Sequence, residues 1–350
     1  MNKLTKIGLS SLCGSLAALS AANAGEMTVT GGATVTHSSN SGDVDGNNLG
    51  MNSGLTFVGS GELDNGTTFT LTLTNADKAA YSAGSLAIVT PSMGSFTVGQ
   101  ANGGNGIDAY DDKMPTAWEE TWGTSLGTGL DLVSGVGASM NIQYKTPVIA
   151  GTTLAIAHSA SNDGGLVNDK STSGAANAAL QRGTDVALDI NVPYVNVFAG
   201  YSITERYGNA KAAGTNNDKN SDREEGVAGA LITIGPVVLG AQATAEFTGA
   251  EQTGSDVFGY KNVSYGVAFN ISDNLSISYG NVESTQGFVS QDGGASGKPS
   301  RLMEIDSYQI AYTMGGASIK IAESEVSNAK YQTGTGNAKE ATTIALSLAF

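Results

Sequence analysis

The sequence has 350 residues, with 48 Gly, only 6 Pro, 14% charged residues and a formal net charge of −15. Gly weakens helix interiors and an acidic surface repels phosphate, so this composition argues against a helical bundle and against nucleic-acid binding. The chain is also too poor in Pro and in charge for a disordered protein. The composition instead favours short strands joined by Gly-containing turns.

The first 24 residues have the pattern of a secretory signal peptide. Lys3 and Lys6 precede an apolar stretch, and Ala22-Asn23-Ala24 forms an A-x-A cleavage site. A single transmembrane anchor is the alternative, but the stretch is short and rich in Ser and Gly. We therefore expect a signal peptide at 1–24 and one exported domain at 25–350, which contains no Cys and has 15 basic against 32 acidic residues.

Apolar and polar residues alternate with a period of two at many places in the exported part. Residues 68–74 read TFTLTLT, with Phe69, Leu71 and Leu73 on one face and Thr on the other. Residues 185–192 read DVALDINV and repeat the pattern. Each such segment indicates a strand with one apolar and one polar face. No stretch approaches the roughly 18 apolar residues of a membrane-spanning helix.

The connections between these segments fall into a short and a long class. Short turns containing Gly, Pro or Asn alternate with long polar loops. The long loops are predicted at 37–51, 75–83, 101–138, 160–183, 206–225, 248–259, 284–303 and 327–339. Eight long loops and seven short turns imply 16 strands, of which those near 86–89 and 96–99 have the weakest patterns.

An even number of strands, with short turns at one end and long loops at the other, is typical of an outer-membrane β-barrel. We therefore predict an all-β fold, a 16-stranded antiparallel transmembrane β-barrel. The barrel should be closed, because a sheet in lipid must satisfy its own backbone groups, and its polar face suits a water-filled lumen. A secreted β-solenoid or adhesin is the alternative from another class, although no fixed repeat of about 20–50 residues is present.

Residues 101–138 form the longest connection and differ from the others in composition. They contain both Trp residues of the sequence and a cluster of charged side chains. The candidate site residues of this loop are Asp108, Asp111, Asp112, Lys113, Glu119 and Glu120. A loop of this length usually has a function or is disordered, and Trp argues against disorder. We expect the loop to fold into the pore and charge its opening. Packing on the outside of the barrel is the alternative.

Three short motifs resemble the general trimeric porins of Gram-negative bacteria. They are GSFTVGQ at 94–100 with the DDKMP that follows it, SGLTFVGSGELDNGTTFTL at 53–71, and the terminal Phe350. In that family the third external loop bends inward and narrows the pore. The resemblance implies an outer-membrane homotrimer, in contact with lipid and lipopolysaccharide, through which ions and small hydrophilic solutes diffuse passively.

The sequence departs from that family at one functionally important point. Many general porins carry a ladder of Arg on the barrel wall opposite the loop acids, whereas the corresponding stretches here offer Gly54, Ser85 and Gly137. We therefore expect a negatively charged pore that prefers cations. A substrate-selective outer-membrane channel is the alternative within the same class.

The sequence carries no recognisable catalytic motif. His37 and His158 are its only His residues and lie in unrelated segments, with His37 at the predicted start of a loop. A metalloprotease motif, a His-containing triad and the Lys of a phosphate-binding loop are all missing. We therefore expect no enzymatic activity, no cofactor and no metal site.

The chain ends in mid-strand on an aromatic side chain, in the stretch ATTIALSLAF. One face of this stretch consists of Ile344, Leu346, Leu348 and Phe350. We expect that face to meet lipid or a neighbouring subunit, with the last strand pairing with the first and Phe350 at the membrane interface. The family resemblance implies that Phe350 is also a signal to the barrel-assembly machinery.

Overall fold

The computed structural model of the chain describes residues 25–41, 47–77, 83–100, 103–123, 126–137, 139–160, 180–206, 221–249, 256–289, 298–334 and 336–350. The predicted signal peptide at 1–24 lies outside these ranges, as do parts of all eight predicted long loops.

Sixteen antiparallel strands form a closed barrel, in which each strand pairs with its neighbours in sequence and the first pairs with the last. The strands are β1 (Met27–Ser41), β2 (Leu49–Glu62), β3 (Thr68–Ala76), β4 (Ala83–Thr90), β5 (Gly94–Gln100), β6 (Asn141–Lys145), β7 (Thr152–Ser159), β8 (Leu180–Val192), β9 (Val195–Arg206), β10 (Arg223–Ile234), β11 (Val237–Phe247), β12 (Val257–Ser272), β13 (Leu275–Phe288), β14 (Arg301–Met314), β15 (Ala317–Ser327) and β16 (Lys339–Ala349). The predicted fold class is thus confirmed, including the two weakly patterned strands, which are β4 and β5.

Two 3-10 helices, Gly106–Tyr110 and Ala329–Tyr331, lie in the described parts of connections between strands. Within the described ranges, no helix has the length and apolarity needed to cross a membrane.

The two-residue alternation of the sequence sorts side chains between the outside of the barrel and the lumen. On β3, Phe69 and Leu71 point outward and are 40% and 44% exposed, while Thr70 and Thr72, which alternate with them, point into the lumen. Apolar side chains on the outside and hydroxyls on the inside suit a barrel with lipid around it and water within it.

The barrel closes between β1 and β16. Gly31 and Phe350 exchange two backbone hydrogen bonds, each with an N–O distance of 2.9 Å. The ladder continues to Ser41, which lies opposite Glu340, so neither strand presents an open edge. The predicted outward-facing residues of this seam are all exposed, namely Ile344, Leu346, Leu348 and Phe350. Their part in assembly stays a prediction.

Several strands extend farther toward the long loops than the hydrophobic pattern predicts. β1 continues to Ser41, so the prediction that His37 starts a loop is wrong. β13 continues to Phe288, past the predicted loop start at 284. At this level the outer face carries acids such as the exposed Glu283. The apolar alternation therefore stops while the hydrogen-bonded ladder continues.

Candidate functional site

The described part of the third long connection, residues 103–123, 126–137 and 139–140, lies inside the barrel, and we call it the inner loop. Its backbone is bound by side chains that point into the lumen from the surrounding strands. Asp185 of β8 is fully buried, and its Oδ2 accepts hydrogen bonds from the backbone N–H of Ile107 (3.0 Å) and of Val136 (3.1 Å). One carboxylate therefore holds both the beginning and the end of the inner loop through charge-assisted hydrogen bonds.

Two Gln side chains bind the middle of the inner loop. Gln242 of β11 accepts a hydrogen bond from the N–H of Lys113 at 3.0 Å and donates to two carbonyls just before it. Gln309 of β14 accepts from the N–H groups of Trp118 and Glu119 at 3.0 and 3.1 Å. These amides supply partners for backbone groups that have none in a helix or a strand.

A buried cluster of charged side chains binds the C-terminal part of the inner loop. Glu225 of β10 is 1% exposed and accepts hydrogen bonds from the N–H groups of Ser134 (2.8 Å) and Gly135 (3.0 Å). The guanidinium of Arg223 lies 3.0 Å from the Glu225 carboxylate and 2.8 Å from that of Glu246. Because the base offsets part of the cost of burying two carboxylates, the cluster can fix the loop backbone in one place.

Apolar contacts add to these hydrogen bonds. The ring of Tyr110 stacks on Phe198 of β9, with centroids 5.4 Å apart. Pro115 lies against Gly240 of β11 and Gly266 of β12, where a Cβ atom would come within 2.6 and 2.8 Å of its Cδ. Only Gly lets the loop come so near to the wall. The prediction that the long loop folds into the pore is thus confirmed, and packing on the outside is excluded.

The first three candidate acids lie close together at the start of the inner loop. Asp108 accepts a hydrogen bond from the N–H of Gly104 at 2.9 Å, Asp111 from that of Asp112 at 2.7 Å, and Asp112 from that of Met114 at 3.0 Å. Burial raises the pKa of Asp108 and of Asp111, and it raises the pKa of Asp112 to about 6. The negative charge of Asp112 therefore depends on pH just below neutrality.

Glu119 and Glu120 form a second acidic pair farther along the inner loop. Glu120 is exposed. Burial, and then the neighbouring Glu120 carboxyl, raise the pKa of Glu119 to about 7, against an opposing effect of Lys320. The ammonium of Lys320 on β15 lies 5.8 Å from the centroid of the Trp118 ring. This pair is thus partly balanced by one base from the wall.

The remaining candidate, Lys113, lies near another base. Its ammonium is 5.4 Å from the centroid of the Tyr110 ring, and it repels the ammonium of Lys145, on β6. Lys113, Lys145 and Lys320 therefore supply more positive charge near the acids than the sequence suggested. All three belong to the inner loop or to strands outside β1–β5.

The wall formed by β1–β5 is uncharged in the middle of the barrel. These five strands contain no Lys or Arg, and their lumen face carries Thr, Ser, Asn and Gly. Gly54 and Ser85 lie on this wall, as the sequence predicts. The third expected wall position, Gly137, is wrong, because it belongs to the inner loop and a Cβ there would come within 2.2 Å of the Asp108 Cβ.

The sequence did not identify the side chains that anchor the inner loop. These are chiefly Asp185, Glu225, Gln242 and Gln309. Asp185, Gln242 and Gln309 alternate with apolar residues along their strands, and this alternation was the available signal. The face of β10 that carries Glu225 also carries Val227 and Leu231, so this strand gives no such signal. That signal distinguishes the lumen from lipid but does not separate a side chain that meets water from one that binds a loop.

Comparisons with known proteins agree with this architecture. The sequence profile of the Gram-negative porins matches residues 9–349, while no curated protein matches the chain. Salmonella typhi OmpF in complex with daunomycin superposes with a TM-score of 0.64 at 16% identity, over 93% of this chain and 98% of that one. A loop L8 deletion mutant of Vibrio cholerae OmpT gives 0.62 at 13% identity, over 94% and 100% of the two chains.

The anion-selective porin from Comamonas acidovorans is also similar, with a TM-score of 0.59 at 12% identity over 93% of this chain and 99% of that one. At such identities the structural likeness shows the fold alone. The family profile, in contrast, covers nearly the whole sequence. The chain therefore belongs to the Gram-negative porin family.

Proposed function

We propose that the protein is a water-filled outer-membrane channel through which ions and small hydrophilic solutes diffuse passively, with a preference for cations. Transport would need no turnover and no cofactor, since the width of the pore and its electric field select what passes. No step of this function requires catalysis, so we propose that the protein is not an enzyme.

One observation carries the cation preference. The inner loop carries six acids, namely Asp108, Asp111, Asp112, Glu119, Glu120 and Asp131, and the wall of β1–β5 offers no base to balance them. Lys113, Lys145 and Lys320 reduce the negative field but are fewer than the acids. A lumen with excess negative charge and low-dielectric walls concentrates cations and repels anions.

Single-channel recording separates the proposal from its alternatives. For passive diffusion we expect a conductance that rises in proportion to KCl concentration and shows no saturation by one particular solute. A substrate-selective channel would saturate with, and be blocked by, its own solute. A surface adhesin or structural β-protein would show no conductance when correctly folded, and that result would contradict the proposal.

The dimensions of one side of the barrel support assembly with further copies of the chain. The adjacent strands β4, β5, β6 and β7 have 8, 7, 5 and 8 residues. A tilted strand needs about 9–11 residues to cross a bilayer, so this side covers the hydrocarbon poorly when it is alone. We propose that neighbouring copies cover it in a homotrimer, the state that the family resemblance implies. Conductance that closes in three equal steps tests this state.

We also propose that the predicted signal peptide at 1–24 directs export, and that the barrel-assembly machinery then inserts the chain into the outer membrane. There its apolar outer face would contact lipid and lipopolysaccharide. Membrane fractionation of cells that express the chain with and without residues 1–24 tests the route. Outer-membrane insertion without these residues would contradict it.

A further inference from the structure

A groove of about 490 Å³ lies on the lumen face where β15, β16, β1 and β2 adjoin. Its polar lining includes Thr34, Asn52, Ser347 and Lys320. Gly54 also lines it, so part of its floor has no side chain. The volume falls within the range of about 300–1,000 Å³ that is usual for small-molecule sites.

The register of the strands fixes these polar groups side by side. Thr34 of β1 lies opposite Ser347 of β16 on one side and opposite Asn52 of β2 on the other. The hydroxyls of Thr34 and Ser347 are 2.8 Å apart and hydrogen-bonded. Val35 and Leu346, the neighbours in sequence, are exposed on the outer face, which places the hydroxyls in the lumen. These hydroxyl and amide groups form a polar row in a groove whose remaining lining consists largely of small apolar residues such as Ala33 and Ala317.

The charges that line the groove are largely engaged by other groups. The Lys320 ammonium lies over the Trp118 ring and attracts the Glu119 carboxylate. The carboxylate of Asp77, at the rim, accepts a hydrogen bond from the N–H of Ser53 at 2.9 Å. A groove of this kind presents uncharged donors and acceptors to a solute rather than a net charge.

We propose that this groove is a subsite for neutral, hydroxyl-rich solutes, the class of sugars and polyols, on their way through the pore. The inference rests on the proposed channel function and adds a solute class to it. Hydroxyl and amide groups both donate and accept, so they can replace the water that a sugar hydroxyl gives up on entering a narrow pore. The ether oxygens of a polyether chain of equal size can accept hydrogen bonds but cannot donate them. Such a chain therefore forms fewer hydrogen bonds with the same wall.

Gly54 offers a second way to change the groove. A Cβ at this position would have only one neighbour within 4 Å, the carbonyl oxygen of Asn75 at 3.7 Å. Its backbone has no positive φ, so a larger residue fits without strain. Gly54→Leu should therefore fill the groove from its floor and leave the strand pairing intact.

The test compares maltose with a polyethylene glycol of the same hydrodynamic radius in liposomes that contain the purified mature chain. We expect maltose to enter several-fold faster. The double variant Thr34→Val with Ser347→Ala removes two hydroxyls at nearly constant volume, and it should lower the maltose-to-polymer ratio about fivefold per hydrogen bond lost. Gly54→Leu should lower the ratio too, and Gly54→Ala should lower it less, because its side chain fills less of the groove.

KCl conductance of the same preparations separates this inference from the channel function. Conductance with equal entry of maltose and polymer would overturn the sugar subsite and leave the channel standing. An unchanged ratio in both the hydroxyl-free and the filled variants would also overturn it. Absence of conductance in the folded wild-type chain would overturn the channel function and the subsite together.

Discussion

Gln309 on β14 clamps the backbone of Glu119 from both sides. Its Oε1 accepts a hydrogen bond from the Glu119 N–H at 3.1 Å, and its Nε2 donates to the Glu119 carbonyl at 2.8 Å. The two residues are separated by 190 positions in sequence. A neutral wall side chain therefore decides where an acidic pair of the inner loop stands in the lumen.

Removing this clamp should loosen the acidic part of the inner loop. Gln309→Leu keeps the approximate size but leaves backbone groups of Glu119 unpaired, at a cost of about 1–3 kcal/mol for each buried group. We expect a noisier and larger single-channel conductance with a weaker cation preference. Gln286→Leu is the matched control, since Gln286 donates to the Tyr260 hydroxyl. An equal response of both variants would argue against a specific clamp.

Asp185 should matter more for the position of the inner loop than for ion passage. Asp185→Ala would leave the N–H groups of Ile107 and Val136 without their shared acceptor, which should weaken docking by about 2–5 kcal/mol. Hydrogen exchange of peptides from 103–137 should accelerate by at least tenfold, since about 1.4 kcal/mol already gives that factor. Asp189→Ala, on the same strand and face, is the control. Unchanged exchange in Asp185→Ala would contradict its anchoring role.

Cation preference should fall as the pH drops through neutrality. Burial raises the pKa of Glu119 to about 7 and that of Asp112 to about 6, so both carboxyls are charged above these values and neutral below them. The ratio of K⁺ to Cl⁻ permeability should therefore decline between about pH 8 and pH 5, well above the usual range of carboxyls. Glu119→Gln combined with Asp112→Asn should flatten the profile. A wild-type profile that is level until about pH 4.5 would refute this.

A charged extension after Phe350 should impair assembly. The backbone of Phe350 pairs with Gly31 at the seam, and its side chain is 78% exposed on the outer face. Charges added here would lie where the outer face meets the membrane interface. We expect a Lys-rich tag to reduce the yield of heat-resistant oligomer relative to the same tag inserted in the connection near 214. Equal yields would show that the free end is not needed.

The strand count could be predicted because each strand faces two different solvents. In β3, Phe69 and Leu71 face the outside of the barrel while Thr70 and Thr72 face the lumen, so apolar and polar residues alternate with a period of two in the sequence. This alternation is lost at the strand ends nearest the long loops. β1 runs on past His37, where polar residues occupy both faces and no alternation marks the strand.

The length and composition of the inner loop, together with the family resemblance, predicted that it folds inward, but they did not predict its course within the lumen. Its anchors are side chains that bind backbone N–H groups. Because every residue except Pro has such a group, the sequence does not show which of them is bound. Nothing near Asp185 indicates that its partner is Ile107, 78 residues away. For the same reason Gly137 could be mistaken for a wall position, although it packs against Asp108 within the loop.

The zero-current reversal potential across a planar bilayer with a KCl gradient tests the central claim most directly. The inner loop carries more acids than bases and strands β1–β5 add no base, so the wild-type channel should prefer K⁺ at pH 8. Replacing Asp111, Asp112, Glu119 and Glu120 with their amides should lower the permeability ratio several-fold, roughly toward 1. Gly54→Arg, which adds a base to the opposite wall, should shift it the same way. Anion preference of the wild type, or no change in the neutralised variant, would contradict the account.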